Sequence, residues 1–238
     1  MQTSTAHAIC PEQPMSRARI VSPFANLRGE ALARFRAIVH EVTYAHGDQL
    51  FMEGEDPEQL FILTSGRVKL SVTSRDGKII ILRIAGADQC LGLAAALANT
   101  SHEISAEVLE PTRAKVIRVT DFLAFLEEHP EAAMEATRCI LAEYHATFSG
   151  MCRLALPATV AGRLANLLLE WRNNRMQRGA EGQRLTVALT HGEIAEMTNT
   201  SRETVSRVFQ QFQRDKLIAV KGASVTVLQP QALEQLAW

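Results

Sequence analysis

Apolar and polar positions change rhythm along this chain. Leu27 to His40 carries apolar residues at helical spacing and predicts a short helix. From Val42 to Val119 the pattern shortens to runs of β-branched and apolar residues: VTYAHGDQLF, LFILTSG, RVKLSVTSRDGKIIILRIAG, HEISAEVL and RAKVIRV. Short strands at fairly regular spacing predict a small antiparallel barrel or sandwich. Ser74-Arg75-Asp76-Gly77 is its hairpin loop, and Gly47, Gly54, Gly66, Gly77 and Gly86 are expected at its corners. Helical spacing returns from Asp121 to about Leu156. One long helix over Glu131 to Ala155 is expected after Pro130. Along it Thr137, Leu141, Tyr144, Phe148 and Met151 alternate at four and three residues, the pattern of a coiled-coil seam. The same stripe could instead dock on the chain's own barrel.

After Pro157 and Gly162 the chain carries its most specific pattern, LTHGEIAEMTNTSRETVSRVFQQFQRDKL. Two capping boxes are read ten residues apart, Thr190 with Glu193 and Thr200 with Glu203. Between them Asn199 sits where the chain must turn, and asparagine tolerates the left-handed backbone. Ala195 is small enough for two helices to cross closely. Ile194, Met197, Val205, Val208, Phe209 and Phe212 form the apolar stripe. The free face then presents Arg202, Glu203, Ser206 and Arg207. A helix, a turn and a second helix with such a face is a device for reading base edges in DNA. Arginine matches guanine O6 and N7, and glutamate accepts from the cytosine amino group. An ordinary solvated face with an intrahelical Glu203–Arg207 pair is the competing reading.

Charge sharpens this picture. The chain has 238 residues, with 25 Lys and Arg against 26 Asp and Glu. From Pro157 onward there are 10 basic and 7 acidic residues; before it there are 15 and 19. A mildly basic C-terminal part on an acidic chain suits contact with phosphates. The organisation expected is a flexible tail over 1–22, a small antiparallel β-domain over 23–125, a long helix over 126–156 and a helix-turn-helix with a following strand pair over 157–238. That is an α+β fold.

The segment around Thr200–Val208 closely resembles the DNA-binding domain of the Crp–Fnr (catabolite-activator and fumarate/nitrate-regulator) family of bacterial transcription factors. The SRETVSR run, Ser201 to Arg207, looks like the catabolite-activator recognition helix, and FQRDKLIAVKGASVTV resembles the other branch. LFILTSGRVKL resembles the family's cyclic-nucleotide-binding β-roll, so the likeness spans residues 24 to 236. It implies that Arg202, Glu203 and Arg207 read a TGTGA-type half-site. Ser206 matches the residue that the fumarate/nitrate branch uses on a TTGAT half-site. It also implies that 23–125 is a β-roll sensor domain, that 126–156 is a dimerisation helix making a parallel homodimer, and that 157–238 is a winged helix-turn-helix. For such a reader, Ser201 and Thr204 at the helix start and Lys221 on the following hairpin would clamp phosphates.

In cyclic-AMP-binding relatives a glutamate takes the ribose and an arginine the phosphate. Aligned through Gly92 and Ser105-Ala106, this chain has Leu93 and Ile104 there, so cyclic AMP is not expected to bind productively. Four readings of the input remain. An apolar ligand could lodge among Leu93, Ala96, Leu97, Ile104, Thr147 and Phe148. Haem could use His46, His102 or His145 as axial donor. Cys90 or Cys10 could be oxidised. The pocket could be collapsed and the factor active without ligand. No cofactor is assigned. The cysteines at 10, 90, 139 and 152 lack the clustered N-terminal spacing of the oxygen-sensing branch, so an iron–sulfur cluster is not expected. Cys139 and Cys152 are read as packing residues.

The function expected is a homodimeric, sequence-specific DNA-binding regulator. Its partners are double-stranded DNA, a second copy and, for an activator, RNA polymerase. A ligand-binding regulatory subunit acting on a protein partner is the alternative, and the C-terminal unit argues against it. No Gly-rich phosphate loop, nucleophile elbow or HExxH motif points to an enzyme. No apolar run is long enough for a membrane span and the N-terminus lacks a secretory pattern, so a cytoplasmic protein is expected.

Overall fold

The computed structural model describes residues 22–177, 184–186, 189–221 and 224–237. Most of the expected tail, with Cys10, lies outside them. Helix α1 (Gly29–Ile38) leads into β1 (His40–Tyr44), β2 (Gln49–Phe51), β3 (Gln59–Thr73), β4 (Ile79–Gly86) and β5 (Cys90–Leu91). Then come α2 (Leu93–Ala98), β6 (Ser105–Arg118), α3 (Val119–Glu128) and α4 (Pro130–Ala155). The C-terminal part holds α5 (Val160–Gln177), β7 (Arg184–Thr186), α6 (His191–Met197), α7 (Arg202–Arg214), β8 (Ile218–Lys221), β9 (Ser224–Val227) and α8 (Pro230–Ala237).

The N-terminal sheet is antiparallel, in the order β1-β6-β3-β4, with β2 on β6 and β5 on β3. Two strands are longer than the sequence suggested. LFILTSG and RVKLSVT are one strand, β3, and HEISAEVL and RAKVIRV merge into β6. The reason is a bulge where the two cross. Arg67 pairs with Glu110 and Ser65 with Arg113, so Gly66 faces both Pro111 and Thr112. Gly66 therefore bends a continuous strand and does not make a corner. Its φ is +88°, and a Cβ there would lie 2.2 Å from Thr112 Oγ1 and 2.6 Å from Thr112 Cα. Only glycine fits both demands.

Alternation along β3, β4 and β6 buries Phe61, Leu63, Val68, Leu70, Ala85, Ala106 and Val108 inside the roll. A second cluster joins Phe24, Phe35, Phe122 and Phe125 beneath α4, with Leu93 and Cys90. A third fills the C-terminal part with Leu164, Leu168, Ile194, Val208, Phe212 and Ile218. Ile81 of β4 is fully buried in this third cluster, and Ile84 packs at its edge. Helix α6 accordingly packs on β4.

Helix α4 approaches β4 very closely. A Cβ on Gly150 would lie 2.2 Å from the Leu82 carbonyl oxygen. Next to it the buried Arg153 donates one guanidinium nitrogen to that oxygen at 2.8 Å and another to Glu170 of α5 at 2.5 Å. One arginine thus clips the roll, the long helix and the C-terminal part together.

Candidate nucleic-acid interface

The hairpin of α6 and α7 is set by short-range chemistry. Thr190 caps α6: its Oγ1 accepts from the Glu193 backbone N–H at 3.2 Å, and Glu193 accepts from the Thr190 N–H. The first capping box is therefore complete. The turn closes on Ala195, whose carbonyl accepts from Thr198 N at 3.2 Å and Thr200 N at 3.0 Å. Asn199 takes φ +49°, the left-handed turn expected of it. The second box is not formed as read. Helix α7 starts one residue later, with Ser201 as its cap, accepting from Thr204 N at 3.2 Å. Thr200 N–H already serves the turn, so the cap moves to the next hydroxyl.

Val205, Val208, Phe209 and Phe212 are buried as expected, with Ile194, Ala195 and Met197 facing them. Arg202, Glu203 and Arg207 are exposed and Ser206 is half-buried. Among the described residues neither the Arg202 nor the Arg207 guanidinium makes a hydrogen bond or ion pair, so the solvated Glu203–Arg207 pair is not formed. The Glu203 carboxyl is held below the usual carboxylate range, chiefly by its own backbone N–H and then by the neighbouring Ser201 hydroxyl. Ser201 Oγ and Thr204 Oγ1 stand 3.1 Å apart at the start of α7. A helix start lined with two hydroxyls, at the positive end of the helix dipole, suits a phosphate. Lys221 is exposed at the end of β8, on the β8–β9 hairpin.

Sequence reasoning missed His191. Its Nδ1 lies 2.8 Å from Ser206 Oγ, and its ring stands 5.4 Å from that of Phe209. Only the proximity of α6 to α7 reveals it, because the two residues are fifteen apart in the chain.

The sensor residues are spread more widely. Leu93 is fully buried beneath α4, whereas Ile104 borders the interior of the roll in a different cluster. Ala96 is buried and Leu97 is 38% exposed. Thr147 is half-buried. Phe148 is 46% exposed and stacks on Tyr144, with ring centroids 6.0 Å apart. Leu93 and Ile104 thus belong to different clusters, while α2 packs on α4. Also unforeseen, Arg83 donates to Glu143 of α4 at 3.1 Å and to Gln89 at 3.2 Å, between roll and helix. Burial pushes the Glu143 carboxyl up, and Arg83 partly offsets this.

The candidate haem donors lie apart in the chain. His46 Nδ1 faces the Leu109 carbonyl at 3.0 Å. His102 is buried and stacked on Phe51 at 3.9 Å, and burial lowers its pKa. His145 is on the exposed side of α4, against Tyr144. Burial raises the Cys90 thiol well above its ordinary pKa, which keeps it protonated and runs against its oxidation. Cys139 packs beside the second cluster, its thiol pushed up to about 11 by burial. Among the described residues no group of three or more His, Cys, Asp or Glu could hold a metal ion. No described helix is long and apolar enough to cross a membrane.

Comparison with known proteins agrees with this geometry. Residues 41–129 match the cyclic nucleotide-binding domain model, and residues 162–236 match the Crp-like helix-turn-helix domain model. The chain is 26% identical over 214 residues to a CRP-like cAMP-activated global transcriptional regulator of Mycobacterium tuberculosis, covering 90% of this chain and 95% of that protein. It is 25% identical over 191 residues to the fumarate and nitrate reduction regulatory protein of Yersinia pestis, covering 80% and 76%. Its fold is similar to FixK2 from Bradyrhizobium japonicum, with a TM-score of 0.73 at 20% identity, over 84% of this chain and 98% of that one. With a cyclic-nucleotide-binding-like β-roll joined through α4 to a helix-turn-helix, the chain belongs to the Crp–Fnr family of DNA-binding transcription regulators.

Proposed function

We propose that this regulator acts in the cytoplasm as a homodimer on a palindrome with a TGA-containing half-site, under a signal other than cyclic AMP. The observation that carries the reading is the two arginines on the exposed face of α7, neither of which makes a hydrogen bond or ion pair among the described residues. Arg202 and Arg207 are exposed with free guanidinium forks, and Glu203 is held ionised beside them. Free forks suit guanine, and an ionised carboxylate suits the cytosine amino group. Ser201 and Thr204 at the start of α7, and Lys221 on the β8–β9 hairpin, would hold the flanking phosphates.

Dimerisation is supported by α4. Leu141, Tyr144, Phe148 and Met151 are 46–59% exposed on one stripe, while Ala132, Ala136, Gly150 and Arg153 are buried on the opposite side. The stripe therefore does not dock on the chain's own barrel. Two copies joined there would place their α7 helices in successive major grooves, about 34 Å apart. RNA polymerase is a further partner if the protein activates.

Cyclic AMP is an unsuitable signal because Leu93 and Ile104 offer neither charge nor hydrogen bond to a phosphate or sugar. The test is a gel shift on two inverted TGTGA half-sites separated by six bases, with a scrambled duplex as control. Selective retardation, unchanged by cyclic AMP, is expected. Equal affinity for both duplexes would overturn the base-reading assignment, and a cyclic-AMP-dependent shift would overturn the effector assignment.

A further inference from the structure

We infer that His191 is a specificity-determining residue: by donating Nδ1–H to Ser206 it leaves that hydroxyl able only to accept, so Ser206 selects adenine or cytosine at the base it faces. This rests on the proposed DNA-reading role of α7.

The argument is a count of hydrogens and lone pairs. A serine hydroxyl has one hydrogen and two lone pairs. Ser206 Oγ lies 3.0 Å from the Arg202 carbonyl oxygen, which can only accept, so the hydroxyl hydrogen goes there. This is the usual back-bond of a helical serine to the residue four before it. His191 Nδ1 lies 2.8 Å from the same Oγ. With the hydroxyl hydrogen spent on Arg202, Nδ1 must carry a proton and donate it. One lone pair then remains on Ser206.

In the major groove a lone acceptor pairs with the N6 amino group of adenine or the N4 amino group of cytosine. It finds no partner on thymine O4 or guanine O6, which are themselves acceptors. A serine free to rotate reads all four bases. Here two neighbours remove that freedom.

The histidine ring is held for this purpose from two sides. His191 is the first residue of α6, directly after the Thr190 cap, so its backbone is fixed by the capping box. Its ring lies against Phe209, which is buried one turn of α7 beyond Val205. Helix α6 thereby contributes to base choice although its own side chains carry none of the reading groups named on α7.

The test is quantitative competition binding on a set of palindromes that differ only at the outer half-site position facing Ser206. The wild-type protein, His191→Leu, His191→Asn and Ser206→Ala are compared. Wild type should prefer adenine or cytosine there by on the order of ten-fold over guanine or thymine. His191→Leu should bring the four bases to within about three-fold while the preference at the Arg207 position persists. His191→Asn, whose amide can place an N–H donor near Nδ1, should keep the preference. The ¹⁵N shifts of the free protein should show His191 carrying its proton on Nδ1.

A wild-type preference for thymine or guanine, an Nε2–H tautomer, or unchanged selectivity in His191→Leu would each overturn the inference. So would an equal loss on all four sites, which would mark His191 as a phosphate contact. If wild type binds none of the palindromes selectively, the DNA-reading proposal fails and this one with it. If it binds selectively and only the outer position ignores His191, this inference alone falls.

Discussion

Arg83 of β4 and Glu143 of α4 form a 3.1 Å ion pair whose side chains are only 6% and 16% exposed. Gln89 takes a second guanidinium nitrogen, while the buried Nε has no hydrogen-bond partner among the described residues. A charge pair therefore lies where the roll meets α4.

Breaking that pair on one side should be costly, because it strands a buried charge. Glu143→Ala is expected to lower stability by roughly 3 kcal/mol or more, read from urea unfolding. The double variant Arg83→Met, Glu143→Leu should recover most of the loss, since two well-packed apolar groups leave nothing unpaired. A double variant as weak as the single one would show that the charges are needed beyond their pairing.

Gly66 provides a sharper test of backbone chemistry. Gly66→Ala combines a positive φ with a Cβ 2.2 Å from Thr112 Oγ1. It should destabilise by about 3 kcal/mol or more in chemical denaturation. Gly77→Ala has a similar φ of +80° but nothing within 4 Å, so strain alone should cost about 1 kcal/mol. Similar losses at the two sites would mean that the bulge relaxes around the added methyl.

For DNA, Arg207→Ala is expected to lose about 1–3 kcal/mol on the preferred palindrome and little on random sequence. Fluorescence anisotropy at fixed salt measures both. Equal losses on the two duplexes would reassign Arg207 to phosphate contact.

The exposed stripe of α4 predicts oligomeric state. Tyr144→Glu with Leu141→Glu places charge on two residues 59% and 51% exposed in the single chain. The monomer fold should survive because neither side chain is buried, while sedimentation should show dissociation and palindrome affinity should fall sharply. An unchanged dimer would move the interface elsewhere.

Much of the reading face was legible because it is local. The Thr190 cap, the left-handed Asn199 and the apolar stripe from Ile194 to Phe212 depend on neighbours within a turn or two. The shift of the α7 cap from Thr200 to Ser201 is also local: two adjacent hydroxyls compete for the cap, and the turn hydrogen bond from Thr200 N–H to Ala195 decides for Ser201. What stayed hidden depends on distance in the chain. Arg83 and Glu143 are 60 residues apart, and nothing in either segment signals the other. His191 and Ser206 needed the crossing of two helices before they met. In the sequence Gly66 reads as a corner because glycine marks turns and bulges alike; only the register with Pro111 and Thr112 separates them.

Ile81 gives the two halves of the chain a common foundation. It is a strand residue of the roll, yet it is fully buried with Leu164 and Phe212 of the DNA-reading part. A boundary drawn along the sequence therefore does not divide the packing. Removing the roll would open a hole in the floor beneath the reader, and calorimetry should record one shared melting transition. An expressed fragment starting at Pro157 would lack a wall it never encoded.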